Sequence, residues 1–154
     1  MDDFTLRLTL PAEPEAVYEA VLNADQWWSR HVDLKDQGGE VMTFRFPSAD
    51  FHVTVRIEAL DPGRHVEWVC LDAKHPRSAG YANPRDWVGT RMHFDVETAQ
   101  AGQTHLVFTH VGLTPQLESH EACAEGWNHY VGKSLKALVE SGRGEPFDDG
   151  PQAA

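Results

Sequence analysis

The sequence PQLESHEACAEGWNHYVGKSLKALVES occupies residues 115–141 and predicts one long helix. At 100° per residue, its apolar side chains gather on one face and its charged side chains on the other. The predicted inner face holds His120, Cys123, Ala124, Trp127, Val131, Ser134, Leu135 and Leu138. Thr114-Pro115 is typical of a helix start, with a restart at Ser119 as the alternative, and Gly142 is typical of a helix end. We expect the mixed polar and aromatic first half of this face to line a cavity, and the apolar second half to lie in a solid core.

The segments that precede this helix predict a sheet. Residues 4–10 alternate apolar and polar side chains, as a half-buried strand does. A short helix is predicted to follow, with Pro14 at its first position, and a second helical turn is predicted at residues 24–30. Because adjacent residues of a helix cannot both face inward, we expect Trp28 inside and Trp27 at a rim.

Five further strands are predicted from the period-two pattern that begins at Glu40. Their inward side chains are expected to include Phe44, Phe46, Trp68, Met92, Phe94, Leu106, Phe108 and His110. His110 is the strand histidine whose register places it with the apolar set. Because strands and helices are segregated along the chain, the predicted class is α+β, with a curved antiparallel sheet of about six strands wrapped around the C-terminal helix and two short helices after the first strand.

Composition limits the function classes. The chain has 154 residues, which suits a single domain, here expected to span 1–147 and to be followed by a disordered tail at 148–154. A formal charge of −11 makes nucleic acid and anionic membranes unfavourable partners. The N-terminus lacks the pattern of a signal peptide, and no apolar run is long enough to span a bilayer, so we expect a cytoplasmic protein. Cys70 and Cys123 lie outside any C-x-x-C pattern and are expected to be reduced thiols.

Residues 72–86 have no periodicity and contain two prolines and a glycine. A loop of this length in a compact domain is often a lid or a binding loop, and the alternative is a simple surface excursion. Tyr81 and Trp87 lie near its far end and are candidate rim contacts, as is Tyr130 on the predicted helix.

Several short motifs carry a resemblance to a known family. They are Trp87-Val88-Gly89-Thr90, Thr109-His110-Val111-Gly112-Leu113, Gly126-Trp127-Asn128-His129-Tyr130, Ser134-Leu135-Lys136 and Gly142-Arg143-Gly144-Glu145-Pro146-Phe147. Their order and spacing resemble the START-like (SRPBCC) superfamily of helix-grip folds, and within it the bacterial branch named after the activator of the heat-shock-protein ATPase (Aha-type). The resemblance covers residues 4–147. It implies a deep cavity between sheet and helix for an apolar or amphipathic small molecule, but no particular reaction, because members include carriers, cyclases, hydrolase-like enzymes and co-chaperone domains.

Aromatic walls with a few polar groups are what a ligand pocket requires, although the same side chains can simply fill a core. The candidate ligand contacts are Trp28, Phe44, Trp68, Tyr81, Trp87, Met92, Phe94, Phe108, His110, His120, Cys123 and Trp127. The candidate catalytic residues are His110, as acid, base or hydrogen-bond partner, and Cys123, as a nucleophile. A zinc site at His110, His120 and Cys123 is a further alternative. A satisfied core histidine beside an inert thiol is the structural alternative to all three.

We therefore expect a protein that binds an apolar or aromatic small molecule in an internal cavity. The first alternative is a cyclase- or hydrolase-like enzyme that acts on a polyketide-like or aromatic substrate with His110 as acid/base. The second is a regulatory or co-chaperone-like interaction module. No cofactor and no metal are expected, and a homodimer is compatible with the sequence.

Overall fold

The computed structural model describes residues 3–34 and 40–148 of the protein. The strands are β1 (Phe4–Leu10), β2 (His31–Leu34), β3 (Val41–Phe46), β4 (Phe51–Asp61), β5 (His65–Lys74), β6 (Arg91–Thr98) and β7 (Thr104–Val111). The helices are α1 (Pro14–Leu22), α2 (His120–His129) and α3 (Lys136–Ser141), and a π-helical stretch, Tyr130–Leu135, joins α2 to α3. Short 3-10 turns lie at Ala24–Gln26, Pro47–Ala49 and Arg77–Ala79.

The described strands form one antiparallel sheet in the order β1-β7-β6-β5-β4-β3-β2. This confirms the predicted α+β class, with seven strands where about six were expected. The additional strand is β2, whose four residues pair with β3 but are too few to show a period-two pattern. Register shifts between β4 and β5, at Thr54/Val55 and Ile57/Ala59, are irregularities of the kind that bend a sheet.

The C-terminal helix runs without interruption from His120 to Ser141. Residues 114–119 form turns instead of the predicted first helical turns, since Leu117 N donates to Thr114 O at 3.0 Å and His120 N donates to Leu117 O at 3.1 Å. The alternative start next to Ser119 is therefore the correct one. The predicted inner face is confirmed at its centre, where Trp127, Val131, Ser134 and Leu135 are buried.

The adjacent tryptophans correct one prediction. Trp27 and Trp28 are both buried, so the expectation of Trp27 at a rim was wrong. The 3-10 turn ends at Gln26, and Trp27 has φ −132° and ψ −21°, so the backbone leaves helical geometry here and both rings can turn inward. Both indoles stack on Trp68, with ring centroids at 6.5 and 6.1 Å.

The segment after the helix is held against the tryptophan pair. Gly144 approaches the backbone so closely that a Cβ there would lie 2.3 Å from Gln26 O. Ser134 Oγ donates to Trp27 O at 2.7 Å, and Phe147 N donates to Trp28 O at 2.9 Å. These contacts place the Phe147 ring against the end of β3.

No helix in the described ranges is long and apolar enough to cross a membrane. Cys70 and Cys123 are both unpaired, as expected. The assignment of residues 1–147 to one domain stays a prediction. Of the predicted disordered tail, Asp148 is described and residues 149–154 lie outside the described residues.

Candidate ligand-binding site

The centre of the space between sheet and helix is filled with side chains. Five of the predicted ligand contacts, Phe44, Trp68, Met92, Phe94 and Phe108, have no exposed surface. Trp127 closes this interior from the helix side, with its ring 4.6 Å from Phe108 and 5.1 Å from Trp28. These five residues are core residues that line no part of the pocket described next, which corrects their assignment as pocket contacts.

A pocket of about 460 Å³ lies to one side of this interior, where the β3–β4 turn, the loop after β5 and α2 come together. Five predicted contacts line it, namely Trp28, Tyr81, Trp87, Cys123 and Trp127. Phe46, predicted to face inward, and Tyr130, a predicted rim contact, also line it. The sequence analysis did not identify the other lining residues, which are Ala49, Phe51, His75, Pro76, Ser78, Ala79, Ala122, Gly126 and Phe147. Its lining is therefore largely aromatic and apolar, as in most small-molecule sites.

The loop after β5 forms one wall of the pocket and is attached on two sides. Arg77 N donates to Asp50 Oδ2 at 3.1 Å, which connects the loop to the β3–β4 turn. The backbone N–H groups of Ala82 and Asn83 donate to the Glu118 carboxylate at 3.1 and 3.2 Å. This aperiodic stretch is thus a wall of the pocket, and motion of the loop as a lid stays a prediction.

His75, Asp86 and Ser119 form a buried polar cluster behind that wall. His75 Nε2 and Asp86 Oδ1 are 2.9 Å apart. Ser119 Oγ lies 2.9 Å from each oxygen of the same carboxylate, and Ser119 N donates to Oδ2 at 3.3 Å. Asp86 is therefore held as a carboxylate acceptor by three neighbouring groups, and it orients the His75 ring.

His75 is the polar residue that the cluster presents to the pocket. Its side chain is 4 % exposed and its ring packs against Phe51, Tyr81 and Trp87. Burial lowers the pKa of His75 below its ordinary value, although Asp86 acts in the opposite direction. The neutral ring donates Nε2–H to Asp86, so Nδ1 carries the lone pair and is left to accept a hydrogen bond or a proton.

His110 has a different environment from the one predicted. It is fully buried, its Nδ1 accepts from Trp127 Nε1 at 3.0 Å, and its Nε2 lies 2.8 Å from Thr90 Oγ1. Thr90 Oγ1 donates in turn to Trp87 O at 2.6 Å, so every proton in this chain of hydrogen bonds has an acceptor. Burial lowers the pKa of His110 to about 3, with nearby His75 acting in the same direction. His110 is a structural core histidine that does not line the pocket, so the geometry does not support it as acid, base or ligand contact.

Cys123 lines the pocket, but it is not an activated nucleophile. Burial raises the pKa of the Cys123 thiol to about 12, even though Ser119 and Trp87 beside it favour the thiolate. The predicted group of His110, His120 and Cys123 does not assemble into a three-ligand metal site in the described part of the chain. His120 begins α2 and does not line the pocket, which corrects its assignment as a ligand contact.

The signal that would have revealed His75 was weak. His75 and Asp86 are eleven residues apart in an aperiodic stretch, and Ser119 is a further 33 residues on. No parity or helical spacing connects such positions.

Comparison with known proteins gives a consistent result. The family model described as "Activator of Hsp90 ATPase homolog 1-like protein" matches residues 11–140. No curated protein matches the chain significantly.

Solved structures resemble the fold over most of its length. The Aha1 dimer from Colwellia psychrerythraea is 25% identical, with a TM-score of 0.69, and the match covers 94% of this chain and 100% of that one. DynU16, from the dynemicin biosynthetic locus, is 19% identical with a TM-score of 0.65, covering 94% of this chain and 49% of that one. CV1439 from Chromobacterium violaceum is 19% identical with a TM-score of 0.63, and the match covers 91% of this chain and 99% of that one. The last two, at this identity, show a common fold alone.

Proposed function

We propose that this chain, which belongs to the activator of Hsp90 ATPase homolog 1-like family, binds an apolar or aromatic small molecule in the pocket between the β3–β4 turn, the loop after β5 and α2. The single observation that carries this proposal is a hollow of about 460 Å³ with aromatic walls beside an interior that is otherwise filled. Small-molecule sites have volumes of roughly 300–1,000 Å³ and mostly apolar walls, so this hollow fits a ligand of two or three rings.

The pocket walls also suggest the ligand's chemistry. Trp87 and Trp127 stack nearly in parallel, with planes 9° apart, and Phe51 meets Trp87 at 87°. Such faces and edges favour a flat aromatic ligand. His75 Nδ1 offers one hydrogen-bond acceptor, so a ligand with an N–H or O–H donor fits better than a pure hydrocarbon.

The test uses N-phenyl-1-naphthylamine, a neutral aromatic amine that becomes fluorescent in apolar surroundings. A neutral probe is chosen because a chain with a formal charge of −11 would repel the common anionic dyes. We expect saturable binding of one probe per chain.

Matched variants locate the binding. Ala122 lines the pocket, so Ala122→Trp should fill it and abolish the fluorescence change. Ala101 is exposed in the β6–β7 turn and lines no part of the pocket, so Ala101→Trp adds the same ring elsewhere and should leave binding unchanged. Non-saturable binding, or equal binding by the two variants, would overturn the proposal.

A second candidate is an enzyme of the cyclase or hydrolase kind, with His75 in the role first assigned to His110. The observation that favours it is the buried Asp86–His75 pair, in which the carboxylate orients the imidazole and the other ring nitrogen can act as a general base. Because the Cys123 pKa is raised, the attacking group in a hydrolysis would be water activated by His75 Nδ1.

This candidate is tested with 4-nitrophenyl butyrate, a small aromatic ester. The enzyme proposal expects hydrolysis above the buffer rate that is lost in His75→Asn and retained in Cys123→Ala. Hydrolysis that His75→Asn leaves unchanged, or no hydrolysis above buffer, would remove the candidate and leave the binding function intact.

Two further aspects of the proposal concern assembly and location. The Colwellia protein was solved as a dimer, so we expect this chain to form a homodimer, with a mass by light scattering near twice the 17.2 kDa of one chain. Two unpaired cysteines are consistent with a cytoplasmic location. No observation in the described ranges favours the co-chaperone-like alternative over ligand binding.

A further inference from the structure

Two histidine and two carboxylate side chains lie together on the face of the sheet that points away from the helix. His65 and Glu67 belong to β5, and His93 and Asp95 belong to β6. In the antiparallel register, His65 faces Asp95 and Glu67 faces His93. Because side chains two residues apart share a face, all four project from the same side of two adjacent central strands.

Three of these side chains offer ligand atoms to a common point. His65 Nε2 lies 3.5 Å from Glu67 Oε1, and His93 Nε2 lies 3.6 Å from the same oxygen. The three atoms are all within 4.8 Å of one another. In a tetrahedral zinc site with bonds of about 2.0–2.1 Å, neighbouring ligand atoms are about 3.3 Å apart, so only small side-chain movements are required.

These distances fit a shared ion better than they fit hydrogen bonds. A good N–H···O hydrogen bond has a donor–acceptor distance of about 2.9 Å, and a contact at 3.5 or 3.6 Å is weak at best. Two imidazole nitrogens thus approach one carboxylate oxygen without either making a strong bond to it. A cation between the three atoms would satisfy all of them.

A fourth residue prepares His65 as a ligand. That residue is Asp95. His65 Nδ1 lies 2.6 Å from Asp95 Oδ1, so His65 Nδ1–H donates to the carboxylate. The lone pair of the neutral ring is then on Nε2, the atom that faces Glu67 and His93. A carboxylate that accepts the other N–H of a zinc-binding histidine is the usual second layer of a zinc site.

Glu67 is also prepared as a ligand. Arg91 Nη1 donates to Glu67 Oε2 at 2.8 Å, which leaves Oε1 for the common point. Arg91 also contacts Glu58 Oε1 at 3.5 Å, which offsets part of its positive charge.

We propose that His65, Glu67 and His93 bind one divalent transition-metal ion, represented by Zn²⁺, with Asp95 as the residue that positions His65. Three protein ligands leave a fourth coordination position for water or another small ligand. The site lies on the opposite face of the sheet from the small-molecule pocket and is independent of it. The sequence analysis expected no metal and did not single out these residues.

Isothermal titration of the full chain with Zn²⁺, after removal of metal by chelation, tests the proposal. We expect one ion per chain at micromolar or lower concentration. His93→Ala and Glu67→Gln each remove a ligand and should weaken binding by at least about 10-fold, and Asp95→Ala should weaken it by about 10–100-fold. His105→Ala is the control, because His105 is an exposed histidine of β7 bonded to Thr9, and it should bind Zn²⁺ as the unmodified chain does.

A second measurement separates ligand loss from damage to the fold. The metal-free variants should have the thermal midpoint of the metal-free parent within a few degrees. In ¹⁵N spectra of the imidazoles, Zn²⁺ should shift the Nε2 resonances of His65 and His93 and leave those of His105 in place. Zinc binding that His93→Ala does not weaken, or a shift at other histidines only, would overturn the proposal.

Discussion

The interior around Trp68 and the pocket beside His75 are both walled by aromatic rings, yet the interior is filled and the pocket is hollow. In the interior, Trp68 has four ring neighbours with centroids 5.0–6.5 Å away, and no surface of it is exposed. In the pocket, rings meet only at the walls and leave about 460 Å³ between them. Aromatic content alone therefore does not distinguish a core from a binding site.

The two histidines repeat this contrast. His110 in the interior has partners for both ring nitrogens, whereas His75 has Asp86 on Nε2 and no hydrogen-bond partner for Nδ1 within the described residues. An imidazole with both ring nitrogens hydrogen-bonded stabilises the fold. An imidazole at a pocket wall with one nitrogen left without a hydrogen bond can recognise a ligand. The second arrangement is the one we associate with function.

The largest expected effect comes from emptying the filled region. Trp68→Ala should lower the free energy of unfolding by roughly 3–5 kcal/mol, because it removes a ring with no exposed surface that does not border the pocket. Phe51→Ala, at the pocket wall, should cost less than half as much, because the ring already borders empty space. Urea denaturation measures both, and equal losses would break the contrast.

The next largest effect is expected at low pH, where protonation of His110 should lower the free energy of unfolding. The pKa of His110 falls from an unfolded value near 6.5 to about 3 in the fold, so its stabilising contribution is complete above pH 6.5 and is lost as the pH falls towards 3. Between pH 7.5 and 5.0 the loss should be about 2 kcal/mol, at 1.36 kcal/mol per pH unit below 6.5.

His75 adds to this loss in the same direction, because its pKa is also lowered. Urea denaturation at the two pH values measures the sum. His110→Gln should be less stable than the parent at pH 7.5 and should show a much smaller dependence on pH. An unchanged pH dependence in His110→Gln would contradict the assigned neutral histidine.

A smaller effect is expected at His75. His75→Phe retains a ring at the pocket wall and removes the acceptor, so binding of N-phenyl-1-naphthylamine should weaken by about 3–10-fold, the equivalent of a net hydrogen bond of roughly 0.5–1.5 kcal/mol. The control ligand is 1-phenylnaphthalene, which has no N–H and should bind both forms alike. If the two ligands respond equally, His75 Nδ1 is not the recognition group.

The smallest effect on stability is expected where the molecule is already hollow. Ala122→Trp adds a large ring at an exposed pocket-lining position and should change the free energy of unfolding by no more than about 0.5 kcal/mol. In Ala73→Trp the same ring enters a fully buried position on β5 and should cost at least about 1–3 kcal/mol. Thermal or urea unfolding of the pair compares hollow with filled directly.

The sequence predicted the architecture because periodicity reports which side of an element is buried. The inward parity of Met92, Phe94 and Val96 is confirmed, as is that of Leu106, Phe108 and His110. Strand β2 was missed because four residues are too few for a period, and Trp27 was placed wrongly because the helical rule does not apply after a 3-10 turn.

The site was predicted less well, for a physical reason. Parity places His110 inside but does not report that Trp127 and Thr90 occupy both of its nitrogens. The residues that make the pocket, such as His75 and Tyr81, lie in an aperiodic loop whose path depends on tertiary contacts with Asp50 and Glu118. Filled and empty space between inward side chains also leave the same pattern in a sequence.

The five tryptophans allow one measurement to test the central claim, since each carries an indole N–H that gives its own signal in a ¹H–¹⁵N spectrum. Trp87, Trp28 and Trp127 line the pocket, and Trp27 and Trp68 do not. On addition of N-phenyl-1-naphthylamine we predict the largest shift at Trp87, whose ring packs against Phe51, His75 and Trp127 in the pocket wall, and little change at Trp27 and Trp68. Shifts at Trp27 and Trp68 with Trp87 unmoved would contradict the account, because the ligand would then enter the region that we describe as filled.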